Sequence, residues 1–164
     1  MWKGETSLIY RELQIAELEI YKSKILDLFT ETYITNFHLN DNDAEKLCMG
    51  KIDSLEEYIR NNSAIVIGAI EDCALIAVIW LYIHDYFGEK RLHVNQIAVD
   101  KNFRGRGIGK QLMQEAEKQA LKIGIATIDL FVSDINKAAL SLYDELGFKT
   151  ERRYMKKKLS VEKI

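Results

Sequence analysis

Proline is absent from the 164-residue chain. No linker announces itself by composition, and with no low-complexity tract or internal repeat to divide it, the sequence reads as one domain over residues 1–164. Only two cysteines occur, Cys48 and Cys73, too few for a disulfide framework and suited to free thiols in a reducing, cytoplasmic setting. No apolar run approaches the length that crosses a bilayer, so neither a spanning helix nor a membrane partner is expected. The opening "MWKGETSLIY" lacks the apolar segment and small-residue cleavage site of a secretory signal. Histidine is scarce: His38, His84 and His93 are dispersed, show no metal-ligand spacing with either cysteine, and predict no metal. Basic runs are equally short; Lys156–Lys158 is too brief for a nucleic-acid patch and reads as a solvated strand end.

What is present is an ordinary soluble composition, 48% hydrophobic and 29% charged, with charge distributed unevenly. Residues 1–60 hold 7 bases against 12 acids, residues 61–100 hold 2 against 5, and residues 101–164 hold 14 against 8. A basic last third beside an acidic remainder suggests one region that meets an anion and another that tolerates a cation. "SLIYREL" alternates like a strand, and Leu18, Tyr21, Ile25, Phe29 and Tyr33 recur at helical spacing. "DSLEEYIRN" predicts a short helix capped by Asp53. "AIVIGAI" and "ALIAVIWLYI", joined by "EDC", read as an antiparallel hairpin, and "LHVNQIAV" as a further strand. From Gly107, the positions Ile108, Leu112, Met113, Ala116, Ala120, Leu121 and Ile123 trace one helical face that Gly124 ends. "ATIDLFV" returns to strand, "NKAALSLYDEL" to a helix between Asn136 and Gly147, and "FKTERRYMKKKL" to a closing strand. The predicted order βα(α)βββαβαβ is a mixed α+β layout around one sheet.

Chemistry concentrates in "VDKNFRGRGIGKQL", where a strand ending at Val99 meets a helix starting near Gly107. A helix start leaves backbone N–H groups unpaired and is an anion site. Gly105, Gly107 and Gly109 remove Cβ atoms that would hold a phosphate away, while Arg104, Arg106 and Lys110 add positive charge. Helix-end electrostatics supplies only roughly 0.3–1 kcal/mol per exposed anionic group, so several N–H bonds and the basic side chains must share a diphosphate. Two familiar phosphate loops are excluded. A P-loop needs glycine five positions before the Gly-Lys pair and Ser or Thr after it, where Arg104 and Gln111 stand. A dinucleotide fingerprint needs glycine where Lys110 stands. A glycine-relaxed turn with solvated arginines stays open as the plainer alternative.

Arg104-x-x-Gly107-x-Gly109, after "NQIAV" and before an amphipathic helix, resembles the acetyl-CoA pyrophosphate loop of the GNAT N-acetyltransferase superfamily. The likeness runs from about Leu92 to Phe148, the acetyl-CoA-binding core, and leaves residues 1–60 as acceptor-side helices matched only in element order. It implies a GNAT-like acyl-CoA N-acyltransferase fold: a mostly antiparallel sheet with a splayed parallel strand pair, "LHVNQIAV" and "ATIDLFV", and helices on both faces. It further implies acetyl-CoA as acyl donor, Ile97, Ala98 and Val99 beside the pantetheine arm, and a backbone N–H near Ile97 facing the oxyanion. Arg104 to Lys110, with Ile108 among them, would surround the diphosphate. Tyr143 matches the family's tyrosine that hydrogen-bonds the departing sulfur, although its helical face also fits a core aromatic. Asn136 matches the asparagine that touches pantetheine and is equally a preferred helix cap.

The sequence departs from the family at the general base, since Asn95 and Gln96 stand where many relatives carry a carboxylate. Glu31, Asp134, a water chain or capture of the neutral amine remain open. The resemblance therefore implies an acetyl-CoA-dependent N-acetyltransferase acting by direct attack of a primary amine. Its acceptor would be a small-molecule or peptide amine near the N-terminal helices, with a cationic small molecule and an amino sugar among the options. A non-catalytic acyl-CoA-binding module and a nucleotide-phosphate binder are the competing readings. An exposed edge strand would also allow a homodimer.

Overall fold

In the computed structural model, which describes residues 7–159, five strands form one sheet in the order β1-β2-β3-β4-β5. β1 (Leu8–Glu12) leads through Leu13 into α1 (Ile15–Phe37), where the Glu17 carboxylate accepts the Gln14 N–H at 3.1 Å and pairs with Arg11. α2 runs over Asp41–Arg60, so "NDNDAEK" is its start and not a loop: Asn40 accepts the Asp43 N–H at 2.9 Å, with Asp41 and Asp43 in the first turn. The expected cap, Asp53, sits inside α2 and pairs with Lys22 of α1 at 2.9 Å.

β2 (Ala64–Glu71) and β3 (Ala74–Tyr86) form the expected hairpin around Asp72 and Cys73, both at positive φ (49° and 64°), as a two-residue turn matching strand twist requires. Phe87 and Gly88 (φ 54° and 88°) turn β3 into β4 (Glu89–Val99) in the same way. A 3₁₀ turn at Lys101–Phe103 precedes α3 (Ile108–Lys122), which ends at Gly124 with φ 74°. β5 (Ile128–Leu130) pairs with β4 in parallel, and α4 (Lys137–Glu145) follows, with Gly147 at φ 87° beyond its end.

Strand alternation separates two apolar layers. One face, with Val66, Val78, Trp80 and Ala98, meets α1 and α2 through Ile25, Leu28, Phe29, Cys48 and Leu55. The other, with Ile67, Ile79, Leu81, Leu92 and Val94, meets α3 through Ile108, Leu112, Met113, Ala116 and Ala120. Leu121 and Ile123 are 73% and 41% exposed, outside the face assigned to them, because the packed stripe ends at Ala120 as α3 leaves the sheet. Phe29, 1% exposed and stacked on Trp80 at 6.3 Å, anchors the first layer. Phe29→Ala is expected to destabilise the fold by about 3–5 kcal/mol in urea denaturation, from lost burial plus a cavity.

The expected closing strand does not form. Residues 149–159 carry no regular structure and are exposed. Tyr154, Met155 and Leu159 do not alternate along this base-rich segment, so no single face of a strand there would be apolar.

Candidate functional site

The sheet opens between β4 and β5. Pairing covers Leu92↔Ile128, His93↔Asp129 and Val94↔Leu130 and then stops, while β4 continues to Val99. A bulge at Asn95, between the pairs Leu81↔Val94 and Trp80↔Gln96, decides what β4 offers to this gap. Before the bulge, the Leu92 N–H points toward β5, bonding Thr127 O at 3.0 Å. After it, the Asp100 N–H bonds Ile76 O on β3 at 2.9 Å. By strand alternation Ala98 therefore faces β3, and Ile97 and Val99 turn their N–H and C=O groups away from β3, toward the gap. The Val99 carbonyl accordingly accepts Arg104 Nε at 3.0 Å.

At the mouth of the gap, α3 begins on Gly107, a cap residue in the left-handed region (φ 75°) with no side chain to occupy the first-turn N–H groups of Ile108, Gly109 and Lys110. Gly105 is left-handed too (φ 76°), and the space a Cβ would take at 105 or 107 is open. A Cβ at Gly109 would lie 3.7 Å from Leu142 and 3.8 Å from Val99, which places α4 against this corner. The cradle fits a diphosphate, with main-chain donors on one side and room for ligand atoms. Gly107→Ala is expected to cost about 1–2 kcal/mol of stability from left-handed strain, read in urea denaturation, and to weaken binding of a diphosphate ligand in calorimetry.

The basic side chains of the loop are held by carboxylates. Arg104 pairs with Glu31 of α1 at 2.9 Å, Arg106 with Glu71 of β2 at 3.1 Å, and Lys110 with Glu145 of α4. Exposed pairs of this kind contribute only about 0–1 kcal/mol each, so exchange for a phosphate costs little. Glu31 is thereby engaged as Arg104's partner.

Tyr143 lies on the α4 face turned to the second layer, 8% exposed and 5.6 Å from the Phe148 ring. Burial pushes its phenol up to about 12. Asn136 caps α4 by accepting the Ala139 N–H at 3.2 Å and donates to Asn36 of α1 at 3.1 Å, so its amide ties two helices together. Gln96 is buried and reaches the Phe29 carbonyl at 3.4 Å, a structural anchor rather than a base.

Tertiary structure also joins residues that spacing left apart. The Phe87–Gly88 hairpin sets Tyr82 opposite His93 and His84 opposite Arg91, and the parallel pair sets Asp129 beside His93. The ligand atoms of His84, His93 and Asp129 converge within 4.8 Å, in contrast to the dispersal read from the sequence. His93 Nδ1 lies 2.8 Å and His84 Nε2 3.0 Å from the Asp129 carboxylate, with Arg91 at 3.6 Å. Burial alone would raise the Asp129 pKa, but hydrogen bonds from His93 and His84 outweigh it and hold the group below the usual carboxylate range. An ionised carboxylate can only accept, so His93 Nδ1 carries the proton and Nε2 is left with its lone pair. Burial lowers the His93 pKa, with Asp129 pulling it partly back, which keeps the ring neutral near pH 7. A hairpin symmetric about "FG" was the signal that could have revealed this pairing.

The Tyr82 ring, 4.8 Å from His93, continues into a cleft of about 630 Å³ between α2 and the sheet. Lys46, Lys51 and Tyr58 of α2 line it, with Trp80, Tyr82 and Asn95 from the strands. The cleft thus reaches the bulge, two positions from Ile97.

Comparison with known proteins gives the following. Residues 23–148 match the model of the acetyltransferase (GNAT) family. A spermidine N(1)-acetyltransferase from Thermoplasma acidophilum is 29% identical over 156 residues, covering 88% of this chain and 90% of its own. The chain spans only 28% of a mycothiol acetyltransferase from Propionibacterium freudenreichii, 27% identical over 52% of this chain, and 45% or less of two further relatives. Among solved structures, a predicted acetyltransferase from Clostridium acetobutylicum with acetyl-CoA superposes at a TM-score of 0.73 with 16% identity, over 93% of this chain and 96% of its own. That likeness is one of fold.

Proposed function

The chain belongs to the acetyltransferase (GNAT) family, and from that premise we propose that it transfers an acetyl group from acetyl-CoA to a primary amine by direct attack on the thioester. The observation that carries this reading is the gap between β4 and β5, into which the Ile97 and Val99 backbone points beside the uncapped start of α3. Main-chain donors at Ile108 to Lys110 hold the diphosphate, assisted by Arg104, Arg106 and Lys110 as they exchange their carboxylate partners. Ile97, Ala98 and Val99 flank the pantetheine arm, and the Ile97 N–H meets the oxyanion as the amine nitrogen attacks the carbonyl carbon. Asn136, its amide held by the cap on α4 and the bond to Asn36, contacts the pantetheine arm.

Tyr143 faces the departing sulfur as a hydrogen-bond donor. With its pKa near 12, complete proton transfer to a thiolate of ordinary pKa near 8.5 is uphill by about 5 kcal/mol, so the thiolate is stabilised by the bond and takes its proton from solvent. The amine's proton goes to His93 Nε2, directly or through a water, while Asp129 holds the ring in the tautomer that leaves Nε2 free. Calorimetry with CoA, followed by thiol release from acetyl-CoA across a panel of amines, tests the reading. CoA binding with amine-dependent thiol release is expected; CoA binding with no accepted amine would favour a non-catalytic acyl-CoA module, and no binding would remove the proposal altogether.

A further inference from the structure

Charge in the cleft beneath α2 runs opposite to charge in the segment that builds it. Residues 1–60 carry an acidic excess, yet among the described residues no Asp or Glu lines the cleft. The acids are directed elsewhere: Asp53 to Lys22, Glu56 to Arg60, and Asp43 to its cap at Asn40. Two lysines do line it, Lys46 and Lys51. Neither takes part in an ion pair among the described residues, whereas Lys22, Lys24 and Arg60 on the same helical pair all do. Lys51 instead places its ammonium 5.2 Å from the Tyr33 ring centre. Trp80, 5% exposed, lines the same cleft. Tyr58, Trp80 and Tyr82 supply the apolar walls, and the volume of about 630 Å³ suits a small molecule.

Resting on the acetyltransferase reading, we propose that the acceptor is a small primary amine that also bears an anionic group, a carboxylate or phosphonate, on an apolar or aromatic body. The anion meets Lys46 and Lys51, the body packs on the aromatic rings, and the amine points past Asn95 toward the thioester. Polycationic amines are disfavoured, because a second ammonium would enter beside two unpaired lysines with no carboxylate to receive it.

Thiol release is measured with phenylalanine, aminoethylphosphonate and phenethylamine against spermidine, and calorimetry follows binding of N-acetylphenylalanine and N-acetylspermidine to the intact protein. Anionic amines are expected to exceed spermidine in kcat/KM by about 100-fold, and N-acetylphenylalanine alone to bind. Lys51→Met is expected to raise KM for the anionic amine about ten-fold, the scale of one charge-assisted hydrogen bond, with CoA affinity unchanged. Lys51→Glu paired with Lys46→Glu should invert the preference. Spermidine matching the anionic amines, an unchanged KM in Lys51→Met, or no binding of N-acetylphenylalanine would each overturn the proposal. Spermidine turnover would do so while leaving the acetyltransferase reading intact, whereas absence of CoA binding would strike that reading instead. Melting curves confirm that each variant folds: among the described residues neither lysine belongs to an ion pair, and Lys51 gives up only its contact with the Tyr33 ring.

Discussion

Tyr143→Phe is expected to lower kcat about 10- to 100-fold while leaving the dissociation constant for CoA within two-fold, because the lost contact is a hydrogen bond to a charge that exists only as the C–S bond breaks, worth about 1.5–3 kcal/mol. The ring is 8% exposed and packed with Phe148, and the hydroxyl's only perturbing influence is burial. Phenylalanine keeps that packing, so melting temperature should hold. Stopped-flow thiol detection with calorimetry in parallel separates the two effects. Unchanged turnover would reduce Tyr143 to a core aromatic. A pKa near 12 adds a second expectation: the rate should show no alkaline limb from this phenol below about pH 11, since its proton stays on and its role is donation rather than transfer.

The second large effect falls on the dyad at the base of the gap. His93→Gln should lower kcat/KM about 10²- to 10³-fold, within the range a positioned general base contributes, and Asp129→Asn should approach it. Burial drives the His93 pKa below its usual value; the groups that face the ring are Asp129 on β5 and His84 and Tyr82 on β3, and Arg91 on β4 approaches Asp129. The sign is definite. With His93 as the proposed base, neutral His93 is the active form, so kcat/KM is expected to fall as pH drops through its lowered pKa. The acid limb therefore lies below pH 6.5, well separated from the limb set by the amine acceptor's own proton near pH 9–10. In His93→Gln that acid limb should vanish, while CoA binding and the alkaline limb persist. An acid limb unchanged in the variant would assign the proton to another acceptor.

Much of the catalytic core was legible because it is local. The strand–loop–helix around Arg104 to Lys110 announces itself through glycine spacing, and the structure places left-handed Gly105 and Gly107 where such a turn demands them. Helix α4 between Asn136 and Gly147 follows from cap chemistry, and the hairpin turning at Asp72–Cys73 follows from two apolar, β-branched runs joined by "EDC". The start of α2 was missed because Asp53 was read as its cap, whereas Asn40 caps it and Asp53 lies inside the helix. The closing strand failed because residues 149–159 lack an apolar alternation, and the exposed ends of α3 failed because periodicity does not say where packing stops.

The order of elements up to α4 and the helix start that faces an anion were legible in the sequence alone, since each depends on residues within a few positions of one another, whereas Tyr143 was singled out by family resemblance and not by spacing. Tertiary structure decided the rest. Which backbone groups of β4 face the gap depends on a one-residue bulge at Asn95, and that bulge shows only in the register against β3. His84, His93 and Asp129 meet through two different strand pairings, one antiparallel and one parallel. The sign of charge in the cleft depends on which acids find partners outside it. Pairings between distant segments, unlike turns and caps, leave no fixed spacing in the chain, because the side chains they join are chosen by register and not by neighbourhood.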